Sequence, residues 1–345
     1  MDDQTLCIET LELLVAPCFW VKDGVILGRN AAARKLPLGE CVEPLLAAGG
    51  EAYWGFTGGS LYLTLSVEGT LFGAAVERKG DLDFFLLEEA EGNPELRILS
   101  LAARELRQPL SGLFATVQQL DADQSAQISA LNRGLSQLLR LIGNMSAAAA
   151  PIYHPELADI TAVFREIFMK AQPLLESAGL HLHYEGPEHS IYCLADAQEL
   201  ERSVLNLLSN SAKFSPRGSI IRCSLTRQNR TLRLCIQDEG SGIPEEILSS
   251  VFNRYLRQPA IEDGRWGLGL GLVLVRACAS HHGGAVLIDH PAQGGTRVTM
   301  TLAIRQDTGN VLHSPRMRID YAGERDHALV ELSDVLPTDL YGSLE

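Results

Sequence analysis

No stretch of the 345-residue chain approaches the roughly 18 to 20 consecutive apolar residues that a membrane-spanning helix needs. The opening Met1-Asp2-Asp3-Gln4 lacks the basic start of a secretory signal. A cytoplasmic protein without a membrane span is therefore expected. Excess positive charge is missing too: 29 Lys and Arg face 43 Asp and Glu, a formal net charge of −14. That excludes the basic face a nucleic-acid binder requires. The seven cysteines (Cys7, Cys18, Cys41, Cys193, Cys223, Cys235, Cys278) include no Cys-x-x-Cys pair. They read as reduced, mostly buried thiols rather than a metal or disulfide framework. No histidine precedes His154, which removes histidine-ligated haem from everything upstream.

What is present divides into parts. At about 150 residues per domain, the length gives two or three domains. Leu99, Ala102, Leu106, Leu110, Leu113, Val117 and Leu120 recur every three or four residues, one stripe of an amphipathic helix. After the polar break 121–124, Ile128, Leu131, Leu135, Leu138, Ile142 and Met145 continue the alternation as a heptad seam. Asn93-Pro94 supplies an N-cap and a proline at the first helical position. Two such helices make an antiparallel hairpin over 94–150. One hairpin cannot bury both stripes, so a homodimer with a four-helix bundle is expected.

The segment 156–306 carries the chemistry. A helix following Asp196 holds Asn206, Asn210 and Lys213 at i, i+4 and i+7, hence on one face, with Leu200, Val204, Leu207 and Leu208 for packing. Taken alone, that polar face is equally an ordinary solvated surface. Leu232, Leu234 and Ile236 alternate along a strand that delivers Asp238-Glu239-Gly240-Ser241-Gly242 at its end. Glycines there permit close backbone approach, and the acid can accept a hydrogen bond from an exocyclic amine. Trp266-Gly267-Leu268-Gly269-Leu270-Gly271 then opens a helix, leaving free N–H groups for phosphate oxygens. Gly294-Gly295-Thr296 precedes a last alternating strand. One such cluster is common in loops; this ordered series points to an ATP site.

The series resembles the asparagine, glycine and phenylalanine boxes (the last Val251-Phe252-Asn253-Arg254-Tyr255) of sensor histidine kinases of two-component systems. Arg104-Glu105-Leu106-Arg107-Gln108-Pro109-Leu110 resembles their phosphoacceptor box, usually His-Glu-Leu-Arg-Thr-Pro-Leu. The likeness covers about residues 95–304. It implies a multidomain α+β protein whose C-terminal domain is an α/β-sandwich ATPase of the histidine kinase, gyrase and chaperone type. By the same resemblance Asp238 binds the adenine amino group, with Gly240, Gly242, Gly267, Gly269, Gly271 and Thr296 lining the cleft. Asn210 is the protein ligand of Mg²⁺, Asn206 and Lys213 lie near the phosphates of ATP, and 257–265 is a charged lid. A response-regulator receiver domain is the implied partner.

The acceptor half departs from the family. Arg104 stands where the nucleophilic imidazole belongs, and no histidine lies between Glu95 and Ala150. A guanidinium stays protonated and offers no lone pair, so self-phosphorylation there is expected to be lost. Glu105 remains as the acid that would handle the proton, and Gln108, one turn on, carries an amide able to orient water. Three outcomes stay open: transfer to a histidine of another subunit in a heterodimer, an ATP-gated scaffold that docks a receiver, or a phosphatase using Gln108. Arg104 and Gln108 are equally read as plain surface residues.

Outside these boxes, 15–21, 25–27, 61–67, 71–76 and 82–87 read as strands separated by Gly and charged turns, with a helical 30–36. This order over 1–89 resembles a small PAS-type α/β sensor domain. Beyond 306, an extension over 307–345 holds a short edge strand at 316–321 and an amphipathic stretch, 327–336, with Leu329, Leu332 and Leu336 on one stripe. Packing of that stretch against the chain's own body is expected.

Overall fold

The computed structural model describes residues 11–12, 14, 16–46, 49–89, 94–117, 125–149, 153–244, 248, 251–252, 269–305 and 326–342. The expected edge strand at 316–321, the lid at 257–265 and the break at 121–124 lie outside these residues.

The N-terminal part is an antiparallel meander: β1 (Cys18–Lys22), β2 (Val25–Arg29), helix α1 (Gly50–Trp54), β3 (Ser60–Val67), β4 (Thr70–Lys79) and β5 (Leu82–Glu89). The expected helix at 30–36 is a single 3₁₀ turn, Ala33–Lys35. Phe19 stacks on Phe85 at 4.7 Å between ring centroids, and Tyr53, Phe56, Leu61, Leu63 and Leu65 complete this core.

Helices α2 (Pro94–Val117) and α3 (Ser125–Ala149) pack together through Ala103, Leu110, Phe114 and Val117 against Leu135, Leu139 and Ile142. The two stripes divide between two directions. Leu110, Val117, Leu135 and Ile142 face inward, while Leu106, Leu113, Leu131 and Leu138, seven residues apart in each pair, are 47–52% exposed.

The next part consists of β6 (Glu156–Asp159), α4 (Ile160–Ser177), β7 (His181–Glu185), β8 (Tyr192–Ala195), α5 (Ala197–Phe214), β9 (Ile220–Gln228), β10 (Thr231–Gln237), α6 (Leu270–His281), β11 (Ala285–Asp289) and β12 (Arg297–Ala303). Asp159 and Asp196 each begin a helix by accepting two N–H groups, Thr161 and Ala162 in one case, Gln198 and Glu199 in the other. The alternation in β10 buries Leu232, Leu234 and Ile236 under Leu200, Val204, Leu207 and Leu208 of α5. A fully buried leucine contributes about 1.5–3 kcal/mol, so this interface fixes α5 on the sheet. The last α-helix, α7 (His327–Glu331), is five residues long; turns carry the chain on to Leu336, and a 3₁₀ turn, Thr338–Tyr341, follows. Its stripe packs inward: Leu332 and Leu336 join the core beneath α4 and α5.

One feature was not legible in the sequence. Ten strands form a continuous sheet, β2-β1-β5-β4-β3-β11-β12-β10-β9-β7, because β3 pairs antiparallel with β11, Leu63 opposite Ala285 and Tyr62 opposite Val286. Among the described residues only the β7 and β9 pair is parallel. Arg276 of α6, 2% exposed, rivets the junction: it meets Glu88 at 2.8 Å and lies over the Tyr62 ring at 4.9 Å.

Candidate functional site

β10 ends by placing Asp238, 6% exposed, beneath the glycine loops. Its Oδ1 accepts the N–H groups of Gly240 at 2.9 Å and Thr296 at 3.0 Å. Its Oδ2 accepts the Ser211 hydroxyl of α5 at 3.2 Å. A carboxylate offers about four acceptor positions, so one on Oδ2 is left for an amine. Burial raises the Asp238 carboxyl above its ordinary value, and these hydrogen bonds pull it back. Gly295 packs against the same residue at φ +83°; a Cβ there would lie 2.0 Å from the Asp238 carbonyl oxygen.

Helix α5 brings Asn206, Asn210 and Lys213 to one side. The solvated-surface alternative fails for Asn206, which is 1% exposed, while Asn210 is half-buried. Asn206 Nδ2 donates to Arg202 O at 3.0 Å, and its Oδ1 lies 3.1 Å from where a Cβ on Gly271 would sit. The first turn of α6 therefore adjoins Asn206. Gly269 is the N-cap of α6 at φ +72°, a left-handed conformation that glycine adopts without strain. Gly240, Gly242, Gly269, Gly271 and Thr296 are all placed around this region, whereas Gly267 lies outside the described residues. So do the side chains of Arg104 and Gln108; Glu105 is exposed on α2.

Residues that motif reading missed close the Lys213 end. Lys213 Nζ meets Asp334 Oδ2 at 2.5 Å, and Arg140 NH1 of α3 donates to the same oxygen. Arg140 Nε is 3.3 Å from Glu331, which is 0% exposed, and Arg140 NH2 and Asn144 Nδ2 each reach Asn206 Oδ1 at 3.5 Å. Burial and the Arg140 charge lower Lys213, though Asp334 opposes them. Burial alone would raise Asp334, yet Arg140 and Lys213 outweigh it and hold this carboxyl below its ordinary value. The sequence held one signal: Arg140 interrupts Leu138-Leu139-Arg140-Leu141-Ile142, where a cation needs a partner.

Glu199, Cys278 and His282 bring ligand-type atoms within 4.8 Å of one another. The Asp196 N–H can only donate, so His282 Nε2 accepts it at 3.0 Å, and Nδ1–H then donates to Cys278 O at 2.8 Å. Both ring nitrogens are committed, which leaves no lone pair for a metal. The group instead fixes the loop that begins α5.

Comparison with known proteins agrees with this geometry. Residues 195–306 match the family described as histidine kinase-, DNA gyrase B-, and HSP90-like ATPase. An adaptive-response sensory kinase, SasA, of Synechococcus sp. (strain CC9311) is 29% identical over 72% of this chain and 69% of its own length. Residues 195–306 therefore carry that ATPase domain, and the chain is similar to sensor histidine kinases. Another of these, the histidine protein kinase DivJ of Caulobacter vibrioides, is 29% identical over 63% of this chain and 38% of its own. Two further SasA kinases are matched over 58% and 54% of their lengths, so the chain spans little more than half of those relatives. Full-length ShkA, solved in complex with AMPPNP, shares the fold at TM-score 0.50 and 22% identity, over 61% of this chain and 46% of that one. Among the described residues no helix is long and apolar enough to cross a membrane.

Proposed function

We propose that this chain binds Mg·ATP in the cleft between α5, the 238–242 loop and the start of α6, and serves a two-component pathway without phosphorylating itself at the usual position. The observation that carries the reading is Asp238: three protein donors orient it and one acceptor position is left for the adenine amine. Gly240, Gly242, Gly269, Gly271 and Thr296 shape the cleft, Gly267 is assigned to it by the sequence resemblance alone, and Asn206 and Lys213 take the phosphates. The Asn210 amide oxygen suits Mg²⁺, a hard cation that keeps its other positions for phosphate and water oxygens. Bound there, the ion would neutralise phosphate charge.

Arg104 decides the chemistry. Phosphoryl transfer to a side chain needs a lone pair, which a guanidinium lacks. Glu105 and Gln108 are left without a nucleophile beside them, so the chain acts as an ATP-gated scaffold for a receiver domain, with dephosphorylation through Gln108 or transfer to a partner subunit's histidine as the catalytic alternatives. The exposed leucines of the hairpin support a homodimer with a four-helix bundle. The strand order β2-β1-β5-β4-β3, with helical segments between β2 and β3, supports a PAS-like sensor over 1–89. A cytoplasmic site of action completes this reading; among the described residues no helix is long and apolar enough to cross a membrane.

Incubation of the natural chain and Arg104→His with radiolabelled ATP tests this. The natural chain is expected to gain no acid-labile label, and Arg104→His restores the nucleophile. Acid-labile phosphate on the natural chain would overturn the reading.

A further inference from the structure

The C-terminal segment 326–342 does more than cover the body. Its apolar residues Leu332, Leu336 and Tyr341, each at most 1% exposed, anchor it in the ATPase core. Its backbone is tied to α3: Arg133 donates to Ser333 O at 3.0 Å and to Asp334 O at 3.1 Å, and Asn132 donates to Tyr341 O at 3.0 Å. The anchoring delivers two carboxylates to a cluster of three cations from two different parts of the chain. Glu331 sits between Arg140 and Arg202, and Asp334 is shared by Arg140 and Lys213.

Plain packing does not require this arrangement. Lys213 and Asn206 are the two residues of α5 assigned to the phosphates, and both are engaged from outside their helix. A carboxylate presents the same hard anionic oxygens to an ammonium and a guanidinium as a phosphate does. Being tethered, it acts at an effective concentration of about the millimolar range, in which ATP must compete.

We propose that Arg140 and Lys213 together form a phosphate site spanning the hairpin and the ATPase domain, and that Asp334 is its resident anion, displaced when a nucleoside triphosphate binds. The proposal rests on the nucleotide cleft described above. It makes the C-terminal segment a built-in competitor, and it gives nucleotide a direct handle on α3 through Arg140.

Calorimetric titration of the full chain with Mg·AMPPNP tests it. Asp334→Asn keeps the shape of the segment and removes its charge. If nine molecules in ten hold Asp334 in the site, the variant binds about ten-fold more tightly. Asp339→Asn, an exposed carboxylate of the same segment, leaves affinity unchanged. Equal affinity of the natural chain and Asp334→Asn would overturn the competitor while leaving the cleft intact. Absence of binding in every form would reject the cleft itself, and the competitor with it. Should Asp334→Asn fail to fold, the natural chain decides. Hydrogen exchange of 327–341 accelerates at saturating AMPPNP if the segment is displaced, and stays unchanged if the proposal is wrong.

Discussion

Leu138 offers the sharpest test of the hairpin as a dimer interface. Its side chain is 47% exposed on α3, in register with Leu131, while Leu139 beside it is 7% exposed and packs against α2. Full burial of a leucine contributes about 1.5–3 kcal/mol, so covering the exposed half in a dimer contributes about 1 kcal/mol per chain. Leu138→Ala removes that twice in a symmetric pair, about 2 kcal/mol, which weakens the dimer about 30-fold. Leu139→Ala has the opposite signature: a cavity inside the hairpin costs about 2–5 kcal/mol of folding stability. Sedimentation equilibrium across the micromolar range, beside thermal melts of each variant, separates the two effects. A natural chain that stays monomeric at tens of micromolar, or a Leu138→Ala protein with an unchanged monomer–dimer constant, would refute the argument.

Two other outcomes follow from the site. Asp238→Asn swaps a carboxylate oxygen for an NH₂ that cannot accept, and calorimetry should show AMPPNP affinity falling by about 100-fold or more. The neighbouring histidines titrate in opposite senses. Burial holds His282 below its ordinary value, so its contribution is present above the unfolded value of about 6.5 and is lost as pH falls through the folded one. For His281 burial also acts downward, but the Glu199 carboxylate at 2.7 Å outweighs it and raises the group. Its contribution is complete below about 6.5 and is lost as pH rises through the folded value. The two partly cancel, and His281→Gln should make the fall in thermal midpoint between pH 7.5 and 5.5 steeper than in the natural chain. An unchanged slope would show that the Glu199 pair does not bias His281.

Much of the fold was written locally. Asp159 and Asp196 announce their helices because a cap needs only the next two or three residues. The period-two burial of Leu232, Leu234 and Ile236 follows from one strand having one buried face. The hairpin stripes were visible as periodicity, yet periodicity does not say which member meets which neighbour. Leu135 and Leu138 belong to the same seam, yet Leu135 is buried inside the hairpin and Leu138 is exposed. The helix expected at 327–336 shortened to five residues because its apolar side chains are satisfied by turns packed on α3, α4 and α5, so no continuous helix was needed to bury them.

The two least legible features share a physical cause. The pairing of β3 with β11 depends on two sheet edges being free and adjacent, and an edge strand's own residues do not name the strand that will cover it. In the same way, nothing near Lys213 in the sequence names Asp334, more than a hundred residues away. The trace such contacts leave is indirect. A cation in an apolar run must be neutralised by something, and among the described residues Arg140 and Arg276 are the two deeply buried arginines. Arg276 stands at the junction of the N-terminal meander with the ATPase sheet, and Arg140 where hairpin, C-terminal segment and α5 meet. In this chain the buried arginines mark where separately legible parts are joined, and those joints lie next to the glycine-rich start of α6 and the asparagine face of α5. The two arginines thus add polar contacts to joints that also pack through β3 on β11 and through Ala148 on Leu270 and Leu274, and substitution of either arginine should be felt at both of the parts it joins.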